Sequence, residues 1–400
     1  MTSSYHLEDR DKCNKNTCAN TCNVPKLRFK GYNDEWVEKR IEKVLKIKHG
    51  KDQKAIENND GIYPILATSG EIGRSNTFLW DKPCVLIGRK GTINKPQYMD
   101  TPFWTVDTLF YSYVFQNNNA KYLYYLFNTI NWKKYDESTG VPSLSAKTIE
   151  RIKIKISNNL REQEKIASFL TLIDKKIEKQ KELVELLKKY KRGLLSAIFS
   201  QKLKFKDDNG NDYPAWEEKR LGDICKSVGG GTPDTNNVKY WGDDINWFTP
   251  TEIIKKYADS SNRKISRLGL LKSSAKILPI GTVLLTTRAT LGEMSILSIE
   301  ATTNQGFQSL IPVKDEVSSE FIYYCQPIIK HFCYKYANGS TFLEISKQTL
   351  AKLKLMIPNK DEQNKISDFL SKFDNKIQQE ECILSYLKTY KKGLLQQMFI

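Results

Sequence analysis

Two long stretches of the chain place apolar residues in alternating steps of four and three. One stripe runs from residue 166 to 198 and the other from 366 to 398. The stripe positions are Ile166, Leu170, Ile173, Ile177, Gln180, Val184, Leu187, Lys191, Leu194 and Ile198, then Ile366, Leu370, Phe373, Ile377, Glu380, Leu384, Leu387, Lys391, Leu394 and Met398. This seven-residue period over five repeats predicts two coiled-coil helices. The alternative is an ordinary amphipathic helix on a globular core.

Each stripe is interrupted by polar residues at equivalent positions. Gln180 and Glu380 form one such pair of positions, and Lys191 and Lys391 form the other. Polar residues inside an apolar stripe are typical of places where the register of paired helices is set.

The helices belong to an internal repeat that covers most of the chain. Residues 162–199 and 362–399 align without a gap at an offset of 200, with 17 of 38 positions identical. Segments 143–156 and 344–357 also match, as do 35–50 and 215–230. The interiors, about 51–140 and 231–340, do not align. The pattern therefore indicates one frame used twice around two different interiors.

The interiors have the pattern of mixed α/β structure. Short β-rich runs occur at 84–88, 281–289 and 294–299, whereas 121–130 and 319–332 suit helices. Residues 202–214, rich in Asp, Asn and Gly, predict a loop that separates the two halves.

Composition indicates a class of binding partner without fixing it. The 400 residues carry 63 Lys and Arg against 46 Asp and Glu, a formal charge of +17. Such an excess is a footprint of polyanion binding, although a merely soluble basic protein has it too. With 40% hydrophobic and 11% aromatic residues, the chain is expected to fold, into two or three domains.

The cysteine pattern predicts no metal site. None of the eight cysteines forms a CxxC pair, and the cluster of Cys13, Cys18 and Cys22 matches no metal module. The charged N-terminus lacks the apolar core of a signal peptide, and no apolar run is long enough to span a membrane. We therefore expect a cytoplasmic protein with reduced thiols.

Motifs for cofactor chemistry are missing from the sequence. It contains no GxxxxGK[ST] loop, no GxGxxG after a strand and no (N/D)PP(Y/F) run of the adenine methyltransferases. Its three histidines form no plausible triad. These absences predict a chain with no catalytic residues and no cofactor.

Several interior runs resemble one protein family. They are GIYPILATSGEIG (61–73), LIGRKGTINKP (86–96), TPFWTVDTLFY (101–111), GGGTPDTNNVKYWGDDINWFTPTEI (229–253) and TNQGFQSL (303–310). Together with two helices that begin with Glu-Gln and end in RGLL or KGLL, they are similar to the specificity subunits of type I restriction-modification enzymes. The resemblance covers nearly the whole chain except its first 23 residues.

The resemblance implies a non-catalytic subunit that reads a bipartite target in double-stranded DNA. It implies two methyltransferase subunits as partners, restriction and motor subunits bound through them, and no membrane. The implied fold is α+β: two mixed α/β target-recognition domains separated by two long helices in an antiparallel coiled coil, with a pseudo-two-fold repeat. The helices would fix the gap between half-sites.

The expected division follows the repeat. It consists of a disordered N-terminal extension (1–23), a first target-recognition domain (24–157), a central helical spacer (158–200), a second target-recognition domain (201–358) and a C-terminal helical spacer (359–400).

Candidate DNA-binding residues combine cations for phosphates with amide and hydroxyl groups for base edges. In the first interior they are Ser69, Arg74, Arg89, Lys90, Thr92, Asn94, Lys95 and Ser143. In the second they are Thr232, Lys239, Asn246, Thr249, Thr287, Arg288, Asn304, Gln305, Ser340 and Thr341. Each of them has a solvated surface role as its alternative. Trp104 and Trp247 offer stacking, or else belong to a core.

The helix ends supply the candidates for partner binding. They are Tyr190, Leu194, Leu195, Tyr390, Leu394 and Leu395. Two rival interpretations stay open on the sequence: a DNA methyltransferase or nuclease with unrecognised motifs, and a structural or RNA-binding protein that uses the helices as a spacer.

Overall fold

The computed structural model describes residues 7–9, 23–338 and 343–400. Contacts divide the chain into two units. The first unit is Met1–Leu183 with Glu380–Ile400, and the second unit is Val184–Gln379. Each unit thus contains one interior and parts of both long helices.

The helices of the described residues are mostly short, apart from two of about 40 residues. They are α1 (Ala120–Phe127), α2 (Ala146–Arg151), α3 (Leu160–Phe199), α4 (Leu221–Ile224), α5 (Arg267–Leu271), α6 (Ser319–Tyr324), α7 (Gln326–Tyr336), α8 (Lys347–Ala351) and α9 (Lys360–Met398). Short 3-10 helices are Ile41–Lys43, Trp132–Tyr135, Val238–Tyr240 and Pro250–Glu252.

Both long helices begin with the same cap. The Asn159 side chain accepts a hydrogen bond from the Glu162 backbone N–H at 3.3 Å, and that of Asn359 accepts one from the Glu362 N–H at 2.9 Å. A side-chain acceptor at this position satisfies a backbone donor that has no partner within the helix.

The glutamine that follows each of these glutamates joins the helix to its unit. Gln163 accepts from the Asn119 N–H at 2.8 Å, at the start of α1. Gln363 accepts from the Ser318 N–H at 2.9 Å, at the start of α6. The repeated Glu-Gln pair therefore has a structural explanation in both units.

The first unit contains eleven strands among its described residues. They are β1 (Leu7–Asp9), β2 (Leu27–Phe29), β3 (Val37–Arg40), β4 (Leu45–Lys48), β5 (Tyr63–Ala67), β6 (Gly70–Ser75), β7 (Cys84–Gly88), β8 (Gln97–Met99), β9 (Trp104–Thr105), β10 (Leu109–Val114) and β11 (Lys153–Ile156). The four-stranded sheet has the order β4-β10-β7-β8, and β6-β5-β9 form a three-stranded sheet. The frame strands β3 and β11 pair antiparallel.

The core of the first unit joins its main sheet to both long helices. Ile87 of β7 and Tyr122 of α1 belong to the same buried cluster as Leu170 of α3 and Leu394 and Met398 of α9. These helix residues are stripe positions, so the stripe ends serve as domain core.

The second unit repeats this plan with ten strands among its described residues. They are β12 (Glu217–Arg220), β13 (Cys225–Gly229), β14 (Trp241–Phe248), β15 (Tyr257–Ala258), β16 (Arg263–Ile265), β17 (Val283–Leu285), β18 (Met294–Leu297), β19 (Thr302–Thr303), β20 (Gln308–Pro312) and β21 (Lys354–Ile357). The sheets have the orders β13-β20-β17-β18-β15 and β16-β14-β19, and the frame strands β12 and β21 pair antiparallel. Leu285 of β17 and Phe321 of α6 share a core with Ile198, Ile366 and Leu370 of the long helices.

Within the first unit, α3 and α9 contact each other in antiparallel order. Asp174 forms an ion pair with Lys391, and Gln180 Nε2 donates to Glu380 Oε2 at 2.6 Å. Higher numbers in α3 thus meet lower numbers in α9. The antiparallel contact predicted from the sequence agrees with this arrangement, and so does a role of these polar positions in setting the register. The supercoil geometry stays a prediction.

The second unit has the equivalent contact. Lys191 forms an ion pair with Asp374, and the ring centroids of Tyr190 and Phe373 lie 5.7 Å apart. Both lysines that interrupt the stripes are therefore matched by an aspartate of the opposite helix.

Two expectations about the organisation differ from the structure. The units cut across the proposed helical spacers, because the stripe ends are buried in the two domain cores. Residues 7–9, expected to be disordered, form a strand that pairs antiparallel with Leu27–Phe29. Residues 1–6 and 10–22, with Cys13, Cys18 and Cys22, lie outside the described residues. No helix in the described part of the chain is both long and apolar enough to cross a membrane.

Candidate nucleic-acid interface

Three turns of the first interior lie side by side. Lys90 forms a β-bridge with Ser143, and the Gly91 N–H donates to Pro142 O at 2.8 Å. The Thr68 hydroxyl lies 3.7 Å from where a Cβ on Gly91 would stand, which brings the turn at Ser69 to the same place. The structure therefore gathers Ser69, Lys90 and Ser143, which are distant in sequence, on one surface.

Arg89 is the cation at the base of this surface. It directly follows β7, the strand next to β10 in the main sheet, and pairs with the exposed carboxylate of Asp107. Its guanidinium also lies 6.0 Å from the centroid of the Phe110 ring. A partly exposed arginine with an exposed, exchangeable partner has the chemistry to bind a phosphate or a guanine edge.

The second interior has an equivalent cluster of turns. Thr232 donates its hydroxyl proton to Gln305 Oε1, and a Cβ on Gly230 would stand 2.0 Å from Asn304 O. Gly230 therefore allows two turns to approach each other more closely than any side chain would permit.

Arg288 lies in the turn after β17, the counterpart in the second unit of β7, and in the strand pairing it corresponds to Lys90, the residue next to Arg89. It follows β17, which lies next to β20, and its guanidinium pairs with Glu344 at 2.8 Å. The next residue, Ala289, has φ of 59°, a left-handed conformation that non-glycine residues rarely adopt. The two units therefore each project an arginine from the turn after this strand, one residue apart in register and into different surroundings.

Four of the predicted DNA-binding side chains make structural hydrogen bonds within their own unit. Thr287 is only 1% exposed and donates its hydroxyl proton to Gly306 O, so its assignment to DNA is wrong. Thr249 forms a capping box, Asn246 accepts from the Ser261 N–H, and Asn304 accepts from the Gly306 N–H. Hydroxyl and amide side chains are as useful for holding turns as for reading bases, which the sequence did not distinguish.

The remaining candidates differ in exposure. Thr92, Asn94, Lys95 and Lys239 are exposed, as is Arg74, which pairs with Glu71 at 3.0 Å. Ser340 and Thr341 lie outside the described residues.

Among the described residues, no carboxylate lies within ion-pair distance of three exposed lysines. These are Lys90, Lys95 and Lys239. Uncompensated surface cations attract a polyanion over a distance of about 10 Å at moderate salt.

The two tryptophans named from the sequence serve as framework. Trp247 is 4% exposed and donates its indole N–H to Gly231 O at 2.8 Å, and Trp104 donates to Lys51 O at 3.0 Å. Sequence reasoning missed Arg263, whose exposed guanidinium lies 3.5 Å from the centroid of the Trp241 ring. An arginine stacked on an aromatic ring is held in a fixed direction.

At the helix ends the tyrosines of the YKRGLL and YKKGLL segments are exposed, whereas their leucines are buried or half-buried. Leu394 is 4% exposed in the first core, and Leu194, Leu195 and Leu395 are partly buried against the two cores. Burial removes Leu394 as a contact residue, so its predicted docking role does not fit its position.

An apolar surface does remain on the helices of each unit. In the first unit it consists of Ile383, Tyr386 and Tyr390, with the two tyrosine rings stacked 6.1 Å apart at 12°. In the second unit it consists of Leu186 and Tyr190, which are 63% and 57% exposed. These two sets, at an offset of 200, are called the helix surfaces.

No group of three His, Cys, Asp or Glu residues in the described part of the chain is arranged to hold a metal. Burial raises the pKa of the Cys84 and Cys225 thiols to about 12 and that of Cys333 to about 11, so these thiols stay protonated and poorly nucleophilic near neutral pH.

Comparisons with known proteins agree on one family. The family model of the type I restriction modification DNA specificity domain matches residues 33–188 and 214–389. The MjaIX specificity subunit of Methanocaldococcus jannaschii is 35% identical over 213 residues, covering 52% of this chain and 49% of that protein. The EcoR124I/EcoR124II specificity subunit of Escherichia coli is 27% identical over 217 residues, covering 50% of this chain and 53% of that protein. The chain spans about half the length of these curated relatives.

Solved structures give the same fold at lower sequence identity. The type I restriction-modification S subunit from M. genitalium superposes with a TM-score of 0.62 at 18% identity, over 94% of this chain and 99% of that one. A structure from work on complex assembly and conformational transition of the type I system gives 0.55 at 15% identity, over 91% and 97%.

Proposed function

Since the chain belongs to the family of type I restriction-modification DNA specificity domains, we propose that it reads a bipartite sequence in double-stranded DNA. Each unit reads one half-site through the turns of its interior. The observation that carries this proposal is the pair Arg89 and Arg288, which project from corresponding turns after β7 and β17 and have unlike surroundings. Placement in corresponding turns supports a common task for the two arginines, and their different neighbours support recognition of different bases.

The charge distribution supports DNA as the ligand. Lys90 and Lys95 follow Arg89 in the first interior, and the chain as a whole carries a formal charge of +17. Lysines bind phosphates without sequence preference, and a forked arginine recognises guanine. A reader of this kind needs both.

The chain itself is proposed to be non-catalytic, with methyl transfer and cleavage supplied by partner subunits. Two methyltransferase subunits dock on the helix surfaces, one on Ile383, Tyr386 and Tyr390 and one on Leu186 and Tyr190. Exposed aromatic residues in a repeated pattern suit a protein interface better than solvent. Restriction subunits bind through the methyltransferase subunits, and the complex acts on cytoplasmic DNA.

The experiment is a map of methylated adenines in cells that carry the chain with its methyltransferase partner. We expect one bipartite methylated sequence in wild type, a change confined to one half-site in Arg89→Ala, and a change confined to the other in Arg288→Ala. Arg40→Ala and Arg220→Ala, on the frame strands of the two units, are matched controls that leave the sequence unchanged. Equal relaxation of both half-sites by one variant contradicts the proposal.

In vitro binding separates the rival functions. The assembled complex is titrated with a duplex containing the mapped sequence, with random duplex and with RNA, all at one salt concentration. Preference for RNA supports the RNA-binding alternative, and methyl transfer by the purified chain alone supports the enzyme alternative.

A further inference from the structure

A buried carboxylate at the start of α3 is held by a guanidinium from the same unit. Arg28 Nε donates to Glu162 Oε1 at 2.6 Å, and Arg28 Nη2 donates to Oε2 at 2.9 Å. Both side chains are almost completely buried. Ser157 also donates to Glu162 Oε2 at 2.5 Å. The forked pair leaves this carboxylate fully satisfied.

The second unit repeats the carboxylate without the guanidinium. Glu362, 4% exposed, accepts a hydrogen bond from Trp216 Nε1 at 3.0 Å. Pro358 corresponds in the repeat to Ser157, and its side chain has no hydrogen-bond donor. Burial raises the pKa of Glu362, and the hydrogen bond from Trp216 and the charge of Lys204 offset only part of this effect.

Lys204 stands where the first unit has Arg28. The segments Leu27–Phe29 and Leu203–Phe205 read LRF and LKF. Phe29 packs on Phe169 of α3 with ring centroids 5.6 Å apart, and Phe205 packs on Phe369 of α9 at 5.5 Å. The Lys204 side chain is exposed, and among the described residues it forms no ion pair with Glu362.

A cavity of about 110 Å³ opens beside Glu362 in the second unit. Its lining includes three aromatic residues, Phe205, Tyr213 and Trp216, a second carboxylate, Asp212, and the Lys204 side chain, which among the described residues forms no ion pair with Glu362. Aromatic faces and carboxylates together are the groups that bind a planar organic cation. The volume corresponds to a few waters at about 30 Å³ each, which is room for one side-chain head and not for a nucleotide.

We propose that this cavity binds the guanidinium group of an arginine side chain from a partner protein. The bound group forks onto Glu362 as Arg28 forks onto Glu162, and it lies against Trp216 and Tyr213. Two carboxylates exclude DNA phosphates from the cavity. The partner is the methyltransferase subunit proposed to dock at Leu186 and Tyr190, because Ile198 of the same helix also lines the cavity. The identity of the partner rests on the proposed function, whereas the guanidinium site does not.

The site is tested by calorimetric titration of the full-length chain with ethylguanidinium, with ethylurea as the neutral control of similar shape. We expect one saturable site for ethylguanidinium and none for ethylurea. Glu362→Gln weakens the binding at least tenfold, and Lys204→Arg abolishes it because the new side chain fills the cavity from within. Lys202→Arg, at an exposed neighbour, leaves it unchanged.

The two repeats provide a reciprocal test. Arg28→Lys copies the second unit's arrangement into the first, so we expect it to create a second ethylguanidinium site. Lys204→Met tests whether the cavity serves a group from another molecule or the Lys204 side chain of the chain itself. If the cavity serves a partner, this substitution retains or tightens the binding of ethylguanidinium. Absence of saturable binding in wild type, or binding that is indifferent to Glu362→Gln, overturns the proposal.

The partner assignment has its own measurement. Lys204→Arg is expected to weaken association of the methyltransferase subunit at least tenfold, and ethylguanidinium is expected to compete with that subunit in wild type. Unchanged association of the Lys204→Arg chain overturns the partner as the source of the arginine. Leu186→Ser tests the docking site separately, since it should weaken association without affecting the ethylguanidinium titration.

Discussion

Tyr125 Oη donates a hydrogen bond to Asp174 Oδ2 at 2.8 Å, where an interior helix meets α3 in the first unit. Tyr324 makes the same bond to Asp374 at 2.6 Å in the second unit. Each aspartate also pairs with a lysine of the other long helix, Lys391 for Asp174 and Lys191 for Asp374. The lysines that break the apolar stripes thus connect three elements within each unit.

This connection predicts a measurable stability effect at Lys391. Lys391→Met removes the cation and leaves Asp174 with the Tyr125 hydroxyl alone. Both charged side chains are partly exposed, so solvent screens part of the loss, and we expect about 1–2 kcal/mol less unfolding free energy. Urea denaturation measures it. Lys392→Met, at an exposed neighbour, is the control and should change stability by about 0.5 kcal/mol or less. Equal effects of the two substitutions would rule out the connection.

Glu162 and Glu362 should respond oppositely to the same substitution. Glu162→Gln strands the buried Arg28 guanidinium, at an expected cost of about 3–5 kcal/mol. Glu362 has a raised pKa in the folded chain, so folding favours its neutral form. The contribution of Glu362 to the unfolding free energy is fully present below its pKa in the unfolded chain, about 4.3. It is lost as the pH rises through the higher pKa of Glu362 in the folded chain.

The matching measurement follows unfolding free energy from about pH 4 to pH 7. Glu362→Gln should gain stability relative to wild type as pH rises, because Gln stays neutral throughout. The Glu162→Gln chain should remain well below wild type at pH 7. A fall in relative stability of Glu362→Gln with rising pH would mean that the carboxylate is satisfied when charged.

Asp107 should limit indiscriminate DNA binding by occupying Arg89 until a target arrives. Asp107→Asn frees the guanidinium, so affinity for random duplex should rise. The slope of log K against log salt should steepen by about 0.9 if one further phosphate is neutralised. Asp81→Asn, also exposed in the first interior, is the matched control. An unchanged slope for Asp107→Asn would contradict the exchange of partners at Arg89.

The helix surfaces should be separable from the cores beneath them. Tyr386→Ser with Tyr390→Ser should reduce methyltransferase association at the first unit while leaving the urea midpoint within error. Leu394→Ser should instead lower unfolding free energy by about 2–5 kcal/mol, since Leu394 is core. Co-purification of each variant with its partner, alongside its urea curve, checks both statements. Retention of the methyltransferase subunit by the variant with Tyr386→Ser and Tyr390→Ser would mean that the subunit docks at another surface.

The period of the stripes and the repeat were enough to predict the long helices and the paired frames. Ile166 and Ile366 lie in core positions as the period requires, and 35–50 and 143–156 contribute strands that pair with each other. These features are local or repeated, so they are legible in one sequence. The position of Leu394 could not be predicted in this way, because the apolar period is the same for a leucine in a domain core and for a leucine on a partner surface.

The roles of the interior residues were harder to predict for the same physical reason. Thr287 and Arg288 are adjacent in a polar turn, yet one is buried and the other exposed. Arg288 stays a candidate for DNA binding because guanidinium groups are rarely buried without a partner, whereas a threonine is found both in cores and on surfaces. The carboxylates that face Arg89 and Arg288 come from distant segments, and only the fold brings them together.

The central claim is that each interior reads one half of a bipartite sequence independently of the other. Its most direct test is a methylome of cells in which residues 231–340 are replaced by the corresponding interior of another family member, with the methyltransferase partner unchanged. The account predicts a methylated sequence in which one half-site is new and the other half-site is retained. Replacement of both half-sites by that single exchange would contradict it.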